Sequence, residues 1–166
     1  MFNLAVLTIS DMGSRGQRED TSGQAIREVM SAQGFQVVHH NIVPDEKDII
    51  ILRLTEWCDG GEIDLVLTTG GTGLGPRDVT PQATSDVIEY AVPGIAEALR
   101  METLKKTSMA MISRSVAGVR NRCLIINLPG SPKGVRECLE VVLPVLPHAL
   151  EVLKNKAQGH PISQNA

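Results

Sequence analysis

Residues 63–81 read IDLVLTTGGTGLGPRDVTP and carry the most regular strand pattern in the chain. The first seven residues form a short, largely apolar run of the kind found in a strand that is buried on both faces. A run of glycines then breaks this pattern abruptly, and Thr80-Pro81 opens a helix, because proline is tolerated in the first turn, where its missing N–H costs nothing. The stretch therefore predicts a strand, a glycine-rich loop and a helix in succession.

The same alternation of strand and helix extends in both directions. Further strand patterns cover residues 4–9, 35–43 and 123–128. Helical patterns cover a segment capped by Thr21 or Ser22 and closed by Gly34, a segment opened by 44–46, and the segments 94–105, 135–143 and 145–153, while residues 107–122 give no clear pattern. Strands that alternate with helices predict an α/β fold of three layers, with a mostly parallel sheet covered by helices on both faces.

Length and composition restrict the class of protein. The 166 residues fit one domain, with a core at about 4–155 and a tail at 156–166. With 2% aromatic residues and a formal charge of −3, the chain lacks the basic surface and stacking side chains typical of nucleic-acid binding. It has no signal-like start and no apolar run long enough for a membrane span, so we expect a cytoplasmic protein with no membrane partner. The three widely spaced cysteines predict reduced thiols.

The glycine-rich loop is the first candidate for chemistry. Gly70, Gly71, Gly73 and Gly75 lie between a strand and a helix, where backbone N–H groups can approach an anion and the helix dipole favours negative charge. The spacing matches neither the P-loop nor the dinucleotide-binding pattern. A phosphate cradle and a purely structural turn both remain open on this pattern alone.

Asp78 follows this loop and would repel a bound phosphate unless a cation lay between them. Magnesium suits that position, since it takes one or two carboxylates and completes its shell with phosphate oxygens and water. Asp45 is the second candidate ligand, because it follows the second strand at the same edge of the sheet. The alternative role for both residues is structural, as N-caps of the helices that follow.

Three other segments are weaker candidates, and each has a structural alternative. Ser10, Asp11 and Ser14 could bind a polar ligand or simply form local turns. Ser113-Arg114-Ser115 and Arg120 would suit phosphate, although surface arginine is the default. The turn 129–132 could offer backbone N–H groups to a ligand or only connect a strand to a helix.

Taken together, several segments resemble one family. They are Thr8-Ile9-Ser10-Asp11, Asp20-Thr21-Ser22-Gly23, Val43-Pro44-Asp45-Glu46, the loop 70–81, Ser113-Arg114-Ser115 and the stretch 125–132, IINLPGSP. They are similar to molybdopterin adenylyltransferases of the MogA type and to the equivalent domains of plant and animal cofactor-synthesis proteins. The resemblance runs from about residue 4 to residue 155.

The resemblance implies a homotrimer that binds Mg-ATP and molybdopterin, adenylates the pterin phosphate and hands its product to a molybdenum insertase. By position, the family's essential acidic residues fall on Asp45 and Asp78, and a pterin-side serine falls on Ser113. The expected substrate-binding set is Thr8, Ser10, Asp11, Gly70, Gly71, Thr72, Gly73, Ser113, Arg114, Pro129 and Gly130.

Two rival functions stay open at this level. One is a non-catalytic molybdopterin-binding protein or a relative of the MoaB type, which shares the glycine loop and the sequence RDVTP. The 113–115 and 125–127 segments favour the MogA type. The other rival is a scaffold, as in animal proteins that use a related domain to cluster receptors.

Overall fold

The computed structural model describes residues 1–154, so the tail predicted at 156–166 and the predicted core end at residue 155 lie outside the described residues. One sheet has the strand order β2-β1-β3-β6-β5-β4. Its strands are β1 (Asn3–Ile9), β2 (Gln36–Val43), β3 (Leu65–Thr69), β4 (Tyr90–Ala91), β5 (Ala117–Arg120) and β6 (Cys123–Leu128). The first four strands in spatial order are parallel, whereas β5 pairs antiparallel with both β6 and the edge strand β4. The mostly parallel sheet is confirmed.

Seven α-helices and one 3₁₀ helix cover the sheet within residues 1–154. They are α1 (Asp11–Ser14), α2 (Thr21–Ala32), α3 (Lys47–Asp59), α4 (Thr80–Val87), α5 (Pro93–Leu104), the 3₁₀ helix (Ser108–Ile112), α6 (Pro132–Val142) and α7 (Leu146–Lys154). None of the helices in this part of the chain is long and apolar enough to cross a membrane.

Alternation along the strands produces the three layers. In β1, Leu4 and Val6 join a core with apolar residues of α2, α5, α6 and α7. Ala5 and Leu7, which point to the other face, join a second core with α3 and α4. Because both faces of the strand are buried, its sequence is continuously apolar rather than alternating.

Most predicted elements are confirmed to within three residues, with one wrong cap and one unassigned region. The N-cap of α2 is Asp20 rather than Thr21 or Ser22, because the Asp20 carboxylate accepts the Gly23 N–H at 2.8 Å and thus begins the helix earlier. The region 107–122 contains the 3₁₀ helix and β5. These elements are five and four residues long, respectively, too short for a periodic signal.

The order of the strands places a crevice between β1 and β3. From this pair the sheet continues to β2 on one side and to β6 on the other, and Thr8 of β1 lies in register with Thr69 of β3. Ligands of open α/β sheets bind at the carboxyl ends of the strands at such a switch point.

Candidate active site

A cleft of about 560 Å³ opens at this switch point. Its lining includes six of the predicted site residues: Thr8, Ser10, Asp45, Gly70, Gly71 and Gly130. The segment 18–22, which leads into α2, forms another wall. The cleft therefore joins loops from the ends of β1, β2, β3 and β6, as expected for a parallel sheet.

The glycine loop has a backbone that side chains would disrupt. Gly70 and Gly71 have φ angles of +97° and +66°, in the region that favours glycine. A Cβ atom on Gly70 would overlap the Ile9 carbonyl oxygen, and one on Gly71 would overlap the Thr80 hydroxyl. That hydroxyl donates a hydrogen bond to the Gly70 carbonyl at 2.9 Å and holds the turn against α4. Close packing against the Ile9 backbone and the Thr80 side chain thus requires these two glycines.

The same loop leaves donors free. Within residues 1–154, the backbone N–H groups of Gly71, Thr72 and Gly73 donate to no protein acceptor. Their carbonyls, in contrast, are used: Gly71 accepts from the Thr80 N–H at 3.2 Å and Thr72 from the Arg114 N–H at 3.0 Å. Three successive free N–H groups after a strand are the arrangement that binds phosphate oxygens.

Asp78 lies over this loop and does not cap a helix. The N-cap of α4 is Val79, and the Asp78 carboxylate instead accepts the Gly75 N–H at 2.8 Å. The same carboxylate oxygen lies 2.9 Å from where a Cβ of Gly73 would stand. The N-cap alternative is wrong for Asp45 as well, because Glu46 holds the N-cap position of α3.

Asp45 is half-buried among other acids. Its Oδ2 atom accepts the Asp11 N–H at 2.8 Å. Burial raises the pKa of the Asp45 carboxyl, and the negative charges of Asp11 and Asp78 raise it further, against the opposing effects of the Asp11 hydrogen bond and the Arg77 charge. The ionised form of Asp45 is therefore the one that a nearby cation would stabilise.

Asp11 is held by its own partners. The Arg77 guanidinium donates to both Asp11 carboxylate oxygens, at 3.0 and 2.8 Å, and to Glu46 at 2.8 Å. These bonds lower the pKa of Asp11 and raise that of Arg77. The Asp45 N–H also donates to Asp11 at 3.1 Å. Asp11 therefore positions Asp45, with its carboxylate occupied by Arg77.

The donor set around the loop fits a cation that arrives with phosphate. In the described part of the chain, no group of three or more His, Cys, Asp or Glu side chains could hold a metal by itself. Asp45 and Asp78 supply two carboxylates that both face the glycine loop. Magnesium binds through one or two carboxylates and completes its shell with phosphate oxygens and water.

A second, narrower cleft of about 160 Å³ lies beside the first. It contains Ser113 and Pro129 of the predicted site, together with residues of α5 and α6. Gly130 lines the first cleft while Pro129, one residue earlier, lines the second. The turn after β6 is therefore the boundary between two adjacent ligand-sized spaces.

Arg114 connects the predicted segments and lines neither cleft. Its guanidinium donates to the Gly73 carbonyl at 2.8 Å and to the Asp78 carbonyl at 2.6 Å. The side chain thus supports the glycine loop from behind. Arg120 lies elsewhere, where it forms a two-point contact with Asp59 at 2.9 and 2.7 Å.

Asn127 is a buried amide near the carboxyl end of β6. Its side-chain nitrogen donates to the hydroxyls of Thr68 and Thr84 at 3.0 and 2.9 Å, and its oxygen accepts the Val116 N–H at 3.2 Å. The residue is completely buried and its polar groups are satisfied. It therefore links β3, β6 and α4 to the segment carrying Ser113.

Residues 18–22 form a wall that the sequence did not predict, since Asp20-Thr21-Ser22-Gly23 contributed to the family resemblance but to no expected site. The Asp20 carboxylate, with its side chain 7% exposed, accepts hydrogen bonds from the Thr8 hydroxyl and the Gly23 N–H at 2.8 Å, and lies 2.7 Å from His40 Nε2. Burial raises the pKa of Asp20, but these hydrogen bonds outweigh it, so the net shift is downward. Arg18 adds a cation to the lining of the same cleft. An acidic residue one position before a helix was the available signal.

The chain is similar to known proteins over most of its length. The family model described as a probable molybdopterin binding domain matches residues 5–148. A molybdopterin adenylyltransferase of Helicobacter pylori strain J99 is 47% identical over 154 residues, which cover 92% of this chain and 88% of the relative.

Solved structures show the same likeness. The molybdopterin biosynthesis enzyme MoaB of Thermus thermophilus has a TM-score of 0.88 and 55% identity, covering 93% of this chain and 98% of the other. A structure of MogA has a TM-score of 0.87 and 38% identity, covering 91% and 99%. Since the family model matches most of its length, the chain belongs to the family of probable molybdopterin-binding domains.

Proposed function

We propose that this chain transfers the adenylyl group of Mg-ATP to the terminal phosphate of molybdopterin and releases pyrophosphate. The observation that carries the proposal is the pair of clefts that meet at Pro129-Gly130, because adenylyl transfer requires two ligands side by side. Relatives that match nearly the whole chain bear the name of this activity.

The first cleft suits the nucleotide. Gly71 lines this cleft, and its free N–H group would bind phosphate oxygens together with those of Thr72 and Gly73, the next residues of the loop. Arg18 adds a positive charge to a wall that also carries the acids Glu19 and Asp20. The pterin phosphate, ionised at neutral pH, attacks the α-phosphorus, and the bond from that phosphorus to the pyrophosphate oxygen breaks. Neither a covalent enzyme intermediate nor a strong general base is needed, so catalysis depends on positioning and electrostatic stabilisation.

Asp45 and Asp78 would hold the magnesium ion. When bound, the ion neutralises phosphate charge. The chain contributes the two carboxylates in a fixed arrangement, since Asp11 orients Asp45 and the Gly75 N–H orients Asp78. Ser113 lines the second cleft, where it would contact the pterin side of the other substrate.

Direct assay of the purified protein tests the proposal. Incubation with molybdopterin, ATP and magnesium should yield pyrophosphate and adenylated molybdopterin in equal amounts. The Asp78→Asn variant should retain its circular dichroism spectrum and molybdopterin binding while losing turnover. Binding of molybdopterin by the wild-type protein without release of pyrophosphate would show a carrier instead of an enzyme.

The remaining expectations concern the oligomeric state and the cellular location. A group of exposed apolar side chains on α5 and the 3₁₀ helix suits burial between copies of a homotrimer: Met101, Leu104, Met109, Met111 and Ile112. Light scattering on protein eluted from a size-exclusion column would measure the mass of the assembly and therefore the number of copies in it. We also propose that the protein acts in the cytoplasm, binds no nucleic acid and passes its product to a molybdenum insertase.

A further inference from the structure

Glu137, on α6, is a carboxylate without a partner at the second cleft. It lines that cleft and is half-buried. Within residues 1–154 it forms no hydrogen bond and no ion pair. The next acid on the same helix, Glu140, is exposed and pairs with Lys106 at 3.2 Å. A partly buried charge is costly unless it is paired, so the lone acid at the cleft indicates a ligand with hydrogen-bond donors.

The helix that carries Glu137 is held firmly. Its N-terminus is capped by Ser131, whose hydroxyl accepts the Gly134 N–H at 3.1 Å. Val135 and Leu139, two residues to either side of Glu137, are completely buried in the core. The Glu137 backbone is therefore fixed before any ligand arrives, and this limits the entropic cost of binding.

The rest of the second cleft has the character of a slot for a flat, polar-edged ring. Apolar Leu99, Met109 and Ala110 contribute to its lining. Arg100 lines it too, with Nη1 donating to the Ser115 carbonyl at 3.0 Å. Among the described residues, no Arg100 nitrogen lies within 4 Å of the Glu137 carboxylate. The acid thus stays unpaired at the edge of a largely apolar cleft, and on its other side it borders a surface groove that also contains Lys105, Lys106 and Glu140.

The pyrimidine edge of a pterin matches this acid. Its ring N3–H and its 2-amino group are adjacent parallel donors, the arrangement through which a guanidinium binds a carboxylate at two points. We infer that Glu137 binds this edge and selects the 2-amino-4-oxo ring. The inference rests on the proposed function for the identity of the substrate, but it concerns recognition and not transfer. Glu137 is thus assigned to specificity and not to the transfer step.

Two small ring systems test the assignment without turnover. Pterin carries the 2-amino donor, whereas lumazine carries an oxo acceptor in its place. By fluorescence titration without ATP, the wild-type protein should bind pterin at least about tenfold more tightly than lumazine, as expected for one charge-assisted hydrogen bond. In Glu137→Gln the preference should disappear or reverse, because an amide can accept from N3–H and donate to the 2-oxo group.

Glu151→Gln is the matched control, since it makes the same change at an exposed helical acid that lines neither cleft, and it should keep the preference for pterin. In the adenylation assay, Glu137→Gln should raise KM for molybdopterin about tenfold and leave KM for ATP unchanged. Equal binding of pterin and lumazine by the wild type, binding of neither at millimolar concentration, or an unchanged preference in Glu137→Gln would overturn the inference. A retained preference for pterin in a wild-type protein without turnover would refute the proposed function alone.

Discussion

Asp20 and Asp45 line the same cleft in opposite electrostatic environments. The Asp20 carboxylate accepts hydrogen bonds from the protein itself, and its pKa is lowered. The Asp45 carboxylate is partly buried beside Asp11 and Asp78, and its pKa is raised. The acid with satisfied oxygens stabilises the fold, whereas Asp45, whose ionised form the fold destabilises, is the acid that we propose as a magnesium ligand. Stability and function are therefore divided between two walls of one cleft.

Asp45→Asn should produce the largest effect, which is a loss of catalysis. The amide oxygen can still accept the Asp11 N–H, but the charge that would hold magnesium is gone. We expect kcat to fall by at least about 100-fold, comparable to the loss of one electrostatic contact to a transition state. The melting temperature should stay unchanged or rise, since the repulsion is removed. A variant that melts earlier and keeps its turnover would contradict the metal role.

Asp20→Asn should show the reverse pattern. The neutral amide weakens the contacts with Thr8 and His40 and retains one acceptor for the Gly23 N–H. Because hydrogen bonds to a charged group contribute about 1.5–3 kcal/mol, we expect the free energy of unfolding to fall by about 2 kcal/mol. Urea denaturation measures this loss, and kcat of the folded variant should change much less than in Asp45→Asn. If Asp20→Asn and Asp45→Asn had the same free energy of unfolding, the two acids would not differ in their contribution to the stability of the fold.

Much of this fold could be predicted from sequence because burial on both faces leaves a clear pattern. The central strands β1, β3 and β6 appear as short, mostly apolar runs that are buried on both faces. The short strands β4 and β5 could not be predicted, because β4 has two exposed residues and β5 has four residues in an otherwise irregular segment. Pairing through the backbone, which side-chain pattern does not encode, defines these two strands.

The candidate site divides in the same way. Asp45 and Asp78 were predictable as acids at strand ends beside a glycine run, where the structure does place them. The roles of Arg114 and Asp20 depend on partners distant in sequence: Arg114 donates to the Gly73 carbonyl and Asp20 contacts His40. Glu137 in the sequence resembles any exposed helical acid. Only the packing of α5 against α6 shows that it lines a cleft.

The smallest expected effect concerns pH, and it sharpens the contrast between the two acids. A raised pKa means that folded Asp45 takes up its proton above the ordinary range near 3.9, which increases stability as the pH falls through the raised value. The lowered pKa of Asp20 contributes stability above its ordinary pKa, and this is lost only as the pH falls through the lowered value. Mild acid should therefore weaken magnesium binding before it unfolds the protein.

Arg77→Met tests whether the pKa of Asp45 sets the pH at which activity falls in acid. Arg77 lowers the pKa of Asp45 through its charge and also neutralises Asp11, so its removal should move the acid limb of kcat/KM for Mg-ATP to higher pH. Because an exposed ion pair is weak, we expect kcat/KM for Mg-ATP to fall only about twofold more in the variant than in the wild type when the buffer is mildly acidic. Nucleotide ionisation is identical for both proteins, so the difference between their profiles reports Asp45. Superimposable profiles would mean that another group controls the acid limb, and the raised pKa of Asp45 would then have no part in catalysis.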